Sequence, residues 1–159
     1  MTLPAPKMLK DVLDGLTGKD VTLTARSRKF TSVDATGGAI GLYVDDKNKP
    51  RALCGWSVGA AAHAGCSFAL LPSNQAEKIV KDRYLPDDCV EAVYELSNVM
   101  ASALAEEGNP HVKLSELYHP AAAAPNEFLK IMYEAHPRMD FELDVPGYGS
   151  GLFSIVVTH

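Results

Sequence analysis

The longest run of ordered apolar and polar positions spans residues 87–108. Cys89, Val93, Leu96, Met100, Ala103 and Leu104 recur at the i, i+3, i+4, i+7 spacing of a core-facing helical stripe. Asp88, Glu91, Glu95, Asn98, Ser102 and Glu106 fall on the other side of the wheel, within roughly 80° of one another at about 100° per residue. Asp87 and Asp88 stand in the first turn, where the helix dipole favours acids. Gly108-Asn109-Pro110 stops the helix. One face seats it on a domain, and the other offers a row of polar groups.

The rest of the chain alternates between strand and helix patterns. Residues 1–7 carry two prolines and read as a loose lead-in. Met8 to Leu16 predicts a short helix, ended by Gly15 and Gly18. Asp20 to Arg26 is β-branched and alternating, which predicts a strand. Ala39 to Val44 and Arg51 to Trp56 predict two further strands, made antiparallel by the short polar turn 45–50. Ser57 is a suitable N-cap for a helix through Leu71, whose small residues imply close packing on a neighbour. Pro72 ends it. Asn74 to Tyr84 predicts a short helix. His111 to Tyr118 alternates as a strand and runs into His119-Pro120. A helix is expected within 121–135, starting near Pro125. Met139 to Val145 and Leu152 to Thr158 predict a hairpin across the turn 146–151. The sum is an α+β fold, with a mixed or antiparallel sheet and long helices packed on one face.

Composition narrows the classes. The chain has 159 residues, which predicts one domain over 1–159. The net charge of −5 leaves no basic footprint for nucleic acid. Arg26, Arg28 and Lys29 cluster modestly, as a solvated strand end or loop would. No run is long enough to span a bilayer, and the N-terminus lacks a signal peptide's apolar middle. Together with three unpaired cysteines, this predicts a cytoplasmic protein without membrane partners.

Most catalytic signatures are missing. The glycines at 37, 38 and 41 and at 147, 149 and 151 lead into strands, so they read as turns rather than phosphate loops. His63 and Cys66 share a helix face, but their apolar neighbours favour a plain core over a metal site. His111, His119 and His136 stand at element ends, where surface histidines are routine. No serine-nucleophile motif occurs.

The polar stripe of 87–108 is what remains. Asparagine is a mediocre mid-helix residue, yet Asn98 sits there, one turn from Glu95, so the two side chains project together. A carboxylate and a carboxamide do not make a nucleophile. They can hold a water or reach into a partner's site.

Glu95-Leu96-Ser97-Asn98-Val99-Met100 resembles the Glu-x-x-Asn signature of the CheC/CheX/FliY chemotaxis phosphatases. In that family the signature lies on a long helix, followed by a strand and a proline. Here His111 to Tyr118 is the strand, and Pro120, 22 positions after Asn98, matches the proline. Length and the single motif copy look most like CheX. The two-site arrangement of CheC has no counterpart.

The resemblance implies a phosphatase for a phosphorylated CheY-like response regulator. The regulator would supply the phospho-aspartate and its Mg²⁺, and this chain would bind no cofactor or metal itself. Asn98 would orient the attacking water and Glu95 would pair with the regulator's active-site lysine. Phosphoryl transfer asks for such positioning and charge balance more than for covalent help. Asp88, Glu91 and Ser102 would form a docking rim. Glu91 stands where relatives usually carry Asp or Ser. The resemblance also implies a homodimer formed through sheet or strand exchange, and the C-terminal hairpin is the candidate for that contact. The alternative is a non-catalytic module docking a receiver domain or a flagellar-switch partner. A small-molecule-binding domain is a more distant third reading.

Overall fold

The computed structural model describes residues 1–134 and 136–158. Ala135, the end of the expected 121–135 helical window, lies outside them, as does His159. The elements follow in the order α1 (Pro6–Thr17), β1 (Thr22–Ala25), β2 (Ala39–Asp45), β3 (Pro50–Trp56), α2 (Val58–Phe68), α3 (Ser73–Asp82), α4 (Asp87–Met100), β4 (Val112–Tyr118), α5 (Asn126–Tyr133), β5 (Arg138–Val145) and β6 (Gly149–Val157). Short 3₁₀ turns occupy Ala101–Leu104 and Ala121–Ala123.

The six strands form one sheet in the order β1-β5-β6-β3-β2-β4, with every neighbouring pair antiparallel. This is the expected α+β class, with its antiparallel option realised. The β2–β3 and β5–β6 hairpins form as the turns predict.

Alternation along β2 sends Ala39 and Tyr43 to the face that carries α1 to α4. It sends Ile40, Leu42 and Val44 to the other face, under Phe128 and Met132 of α5. Every residue of β2 is therefore buried, as a strand covered on both faces must be. The four longest helices share one face, and the eight-residue α5 crosses the other.

Two expectations change in detail. Helix α1 begins at Pro6, which suits a first-turn position, so part of the expected lead-in is helical. Ahead of it, Thr2 and Asn109 exchange hydrogen bonds, N–H to Oδ1 at 2.8 Å and Nδ2–H to O at 3.0 Å. Second, the α-helix opening at Asp87 stops at Met100 rather than near Gly108, tightening into the 3₁₀ turn.

The hairpin proposed for a dimer contact is interior. β5 is flanked by β1 and β6, and β6 by β5 and β3. The free edges of the sheet are β1 and β4, so a strand added from a second copy would pair there.

Helix α2 packs at backbone distance, as its small residues predict. A Cβ on Gly65 would lie 3.1 Å from Cys89 Sγ of α4, and one on Gly151 would overlap Ala60 at the start of α2. The Ser57 hydroxyl accepts the Ala60 N–H at 3.1 Å as an N-cap and the Leu152 N–H at 2.8 Å, joining α2 to β6.

Candidate functional site

Helix α4 divides cleanly. Cys89, Val93, Leu96, Ser97 and Met100 are buried, while Asp87, Asp88, Glu91, Tyr94, Glu95, Asn98 and Val99 face solvent. Glu95 and Asn98 stand three residues apart on the exposed side, which puts their Cβ atoms about 5–6 Å from each other. Neither side chain has a hydrogen-bond or ion-pair partner among the described residues. Both groups are thus available to a molecule arriving from outside.

The other predicted residues distribute along the helix. Asp88 and Glu91 share its exposed face toward the N-terminal end. Ser102 falls in the 3₁₀ turn, exposed, and its hydroxyl donates to the Val99 carbonyl at 2.8 Å. Glu106 lies beyond that turn and accepts from the Ala5 N–H at 3.4 Å. Pro120 follows a cis peptide bond, just after the end of β4. His119, just before it, donates from Nε2–H to the Leu85 carbonyl at 3.0 Å, so this turn meets the segment that leads into α4. Asn98 is about 16 Å further along the helix axis. Glu95 and Asn98 come together on the exposed face of α4.

Two kinds of residue escaped the sequence reading. Tyr94 and Val99, each 39% exposed, add apolar surface beside the polar pair. The second kind lies beneath it. Ser97, fully buried, accepts the Trp56 indole N–H at 3.0 Å on its hydroxyl and the Tyr43 O–H at 2.6 Å on its carbonyl. Cys54 Sγ approaches the same hydroxyl at 3.8 Å. Burial pushes the Tyr43 phenol well above its ordinary range, and it raises the Cys54 thiol as well. Both stay protonated as donors at neutral pH. A tyrosine and a tryptophan at inward-facing strand positions were the available signal, since buried O–H and N–H groups need partners.

The other histidine and cysteine candidates lie elsewhere. His63 is buried on α2 against Gly149, and burial lowers its pKa against the pull of Asp144 and Glu77. Cys66 and Cys89 are neighbouring buried free thiols. Contact with Cys66 and then burial raise the Cys89 thiol. Among the described residues, no group of three His, Cys, Asp or Glu side chains is placed to hold a metal ion, and no helix is long and apolar enough to cross a membrane.

No protein-family model matches the chain, and no curated protein matches it. Solved structures match over nearly its whole length. FliY of Thermotoga maritima is 15% identical at a TM-score of 0.59, covering 99% of this chain and 92% of that one. A chain of the FliG–FliM complex from H. pylori is 9% identical at a TM-score of 0.50, covering 95% and 85%. A chain of the CheX–CheY–BeF3–Mg complex from Borrelia burgdorferi is 8% identical at a TM-score of 0.48, covering 96% and 94%. The architecture is that of the chemotaxis and flagellar-switch α+β proteins. More narrowly, the chain has a CheC/CheX/FliY-like fold. FliY and FliM chains share it, so the fold does not separate CheX from them.

Proposed function

We propose that this chain dephosphorylates a phospho-aspartyl receiver domain of the CheY type by presenting the exposed face of α4 to it. The observation that carries the reading is the unpartnered pair Glu95 and Asn98, side by side on a helix whose opposite face is locked to the sheet. The Asn98 carboxamide can accept from and donate to one water, which suits it to orient that water in line with phosphorus. The Glu95 carboxylate would be repelled by a phosphoryl group, so its natural partner is the receiver's lysine. The receiver brings the phospho-aspartate and Mg²⁺. Asp88, Glu91 and Ser102 form the rim of the docking face, and Pro120 shapes the turn that meets the start of α4. A homodimer built by strand pairing would use β1 or β4, the free edges.

The second reading is a module on the same fold that docks a receiver or flagellar-switch protein without chemistry. Two observations favour it: the exposed Tyr94 and Val99 suit a docking face, and the FliG–FliM chain shares the fold.

One assay separates the two. A CheY-like receiver is charged with acetyl phosphate in Mg²⁺, and phosphate release is followed with and without this chain. Accelerated release that Asn98→Ala abolishes, with binding retained, supports the phosphatase. Binding without acceleration leaves the docking module as the reading.

A further inference from the structure

We propose that Tyr43 is a positioning residue that fixes the turn of α4 bearing Asn98, acting through the Ser97 carbonyl. The inference rests on the phosphatase reading for its catalytic consequence, though not for its structural one.

In a continuous α-helix the Ala101 N–H would bond the Ser97 carbonyl, four residues back. Here the Ala101 N–H points to the Asn98 and Val99 carbonyls instead, because the helix tightens into a 3₁₀ turn. The Ser97 carbonyl is thereby released from that bond at the residue preceding Asn98. It is fully buried, so it needs another donor. The Tyr43 hydroxyl supplies one at 2.6 Å from β2.

The same residue is gripped a second time, by the Trp56 indole N–H from β3 on the Ser97 hydroxyl. Tyr43, Cys54, Trp56 and Ser97 are all fully buried. Gly41 makes room for the cluster, since a Cβ there would lie 2.6 Å from Cys54 Sγ. β2 and β3 lie at the middle of the side of the sheet nearest β4, paired on both edges.

Two directional bonds to one residue restrain both rotation of α4 about its axis and sliding along it. Apolar packing alone is non-directional and restrains neither so tightly. An amide that must hold a water in line with a partner's phosphorus needs that restraint, because small misplacements are costly in rate. Tyr43 touches neither substrate nor water, so its effect reaches the reaction only through Asn98.

The test uses Tyr43→Phe, which keeps the ring, and Ser97→Ala, which removes the bond from Trp56. Phosphate release from the acetyl-phosphate-charged receiver is measured against receiver concentration. Tyr43→Phe is expected to lower kcat by about tenfold to a hundredfold, with KM for the receiver within about twofold of wild type. Hydrogen exchange at the Ala101 and Ser102 amides should quicken in the same variant, with helix content by circular dichroism unchanged. Ser97→Ala should shift the emission of Trp56, the single tryptophan of the chain, and lower kcat in the same direction.

A folded Tyr43→Phe with wild-type kcat and wild-type exchange at these amides overturns the proposal. A rise in KM with kcat unchanged overturns it too, since that is a docking defect. If the wild-type chain releases no phosphate, the phosphatase reading fails by itself. Exchange at Ala101 and Ser102 then decides the structural claim: faster in Tyr43→Phe upholds it, unchanged refutes it. Should Tyr43→Phe fail to fold, the wild-type chain decides by NMR: a slowly exchanging Tyr43 hydroxyl proton upholds the bond to the Ser97 carbonyl, and its absence refutes it.

Discussion

His119 donates its Nε2–H to the Leu85 carbonyl across 3.0 Å, tying the turn that ends β4 to the residues that open α4. The imidazole also meets the Tyr84 ring edge-on, centroids 5.9 Å apart. Leu85 is fully buried, so its carbonyl has no ready substitute in water. His119→Ala should therefore destabilise the protein by about 1–2 kcal/mol. Thermal melting checks this, and hydrogen exchange should quicken first at the amides of the opening turn of α4.

Glu95→Ala and Asn98→Ala are expected to behave differently from such variants. Both side chains are exposed and bond nothing among the described residues, so stability should stay within about 0.5 kcal/mol of wild type. On the phosphatase reading, Asn98→Ala loses turnover by about a hundredfold or more while binding the receiver. Glu95→Ala weakens the productive complex. Denaturant unfolding and phosphate release, run on the same preparations, check both halves.

Gly151→Ala should be among the most damaging single-methyl additions. Its Cβ would overlap the Ala60 backbone at the point where β6 meets the start of α2. Backbone cannot move aside as a flexible side chain does, so the cost should reach about 3 kcal/mol or more. A large drop in the denaturant midpoint is expected, where Gly15→Ala, with open space around its Cβ, should leave it unchanged or raised.

Acid should weaken the fold through His63. Burial depresses its folded pKa below the ordinary 6.5, while Asp144 and Glu77 oppose the shift only in part. The unfolded chain then binds more protons than the folded one just below pH 6.5, so stability falls as pH drops through that window toward the folded value. His119 is shifted the same way by burial, against Asp87. His63→Gln should flatten, without abolishing, the pH dependence of the denaturant midpoint between neutral and mildly acidic pH.

The parts of this molecule legible in its sequence were those set by local periodicity. The stripe from Cys89 to Leu104, the strand patterns of β2 to β6 and the turn signals at 45–50 and 146–151 each located an element, though the stripe and the second turn ran past its bounds. The end of α4 was not legible. Ala-Ser-Ala-Leu-Ala-Glu-Glu has ample helix propensity, and what accompanies the stop after Met100 is a tyrosine hydroxyl from a strand some 50 residues upstream. The strand order escaped for the same reason: pairing between β1 and β5, or β3 and β6, leaves no mark in any local window. Glu95 and Asn98 stood out only as an odd pair on a helix. Ser97 between them looked like one more polar residue until its burial and two bonds to the sheet were known.

The division of α4 bears on how the protein can change over time. Its inward residues are committed by packing at backbone distance from α2 and by the hold on Ser97. Its outward side chains at 91, 94, 95, 98 and 99 make no hydrogen bond or ion pair among the described residues. Mutational tolerance should therefore switch on and off with the helical repeat, high on one side and low on the other. A library randomised at those five outward positions should yield mostly folded proteins, so the partner can be rewritten while the scaffold stays as it is.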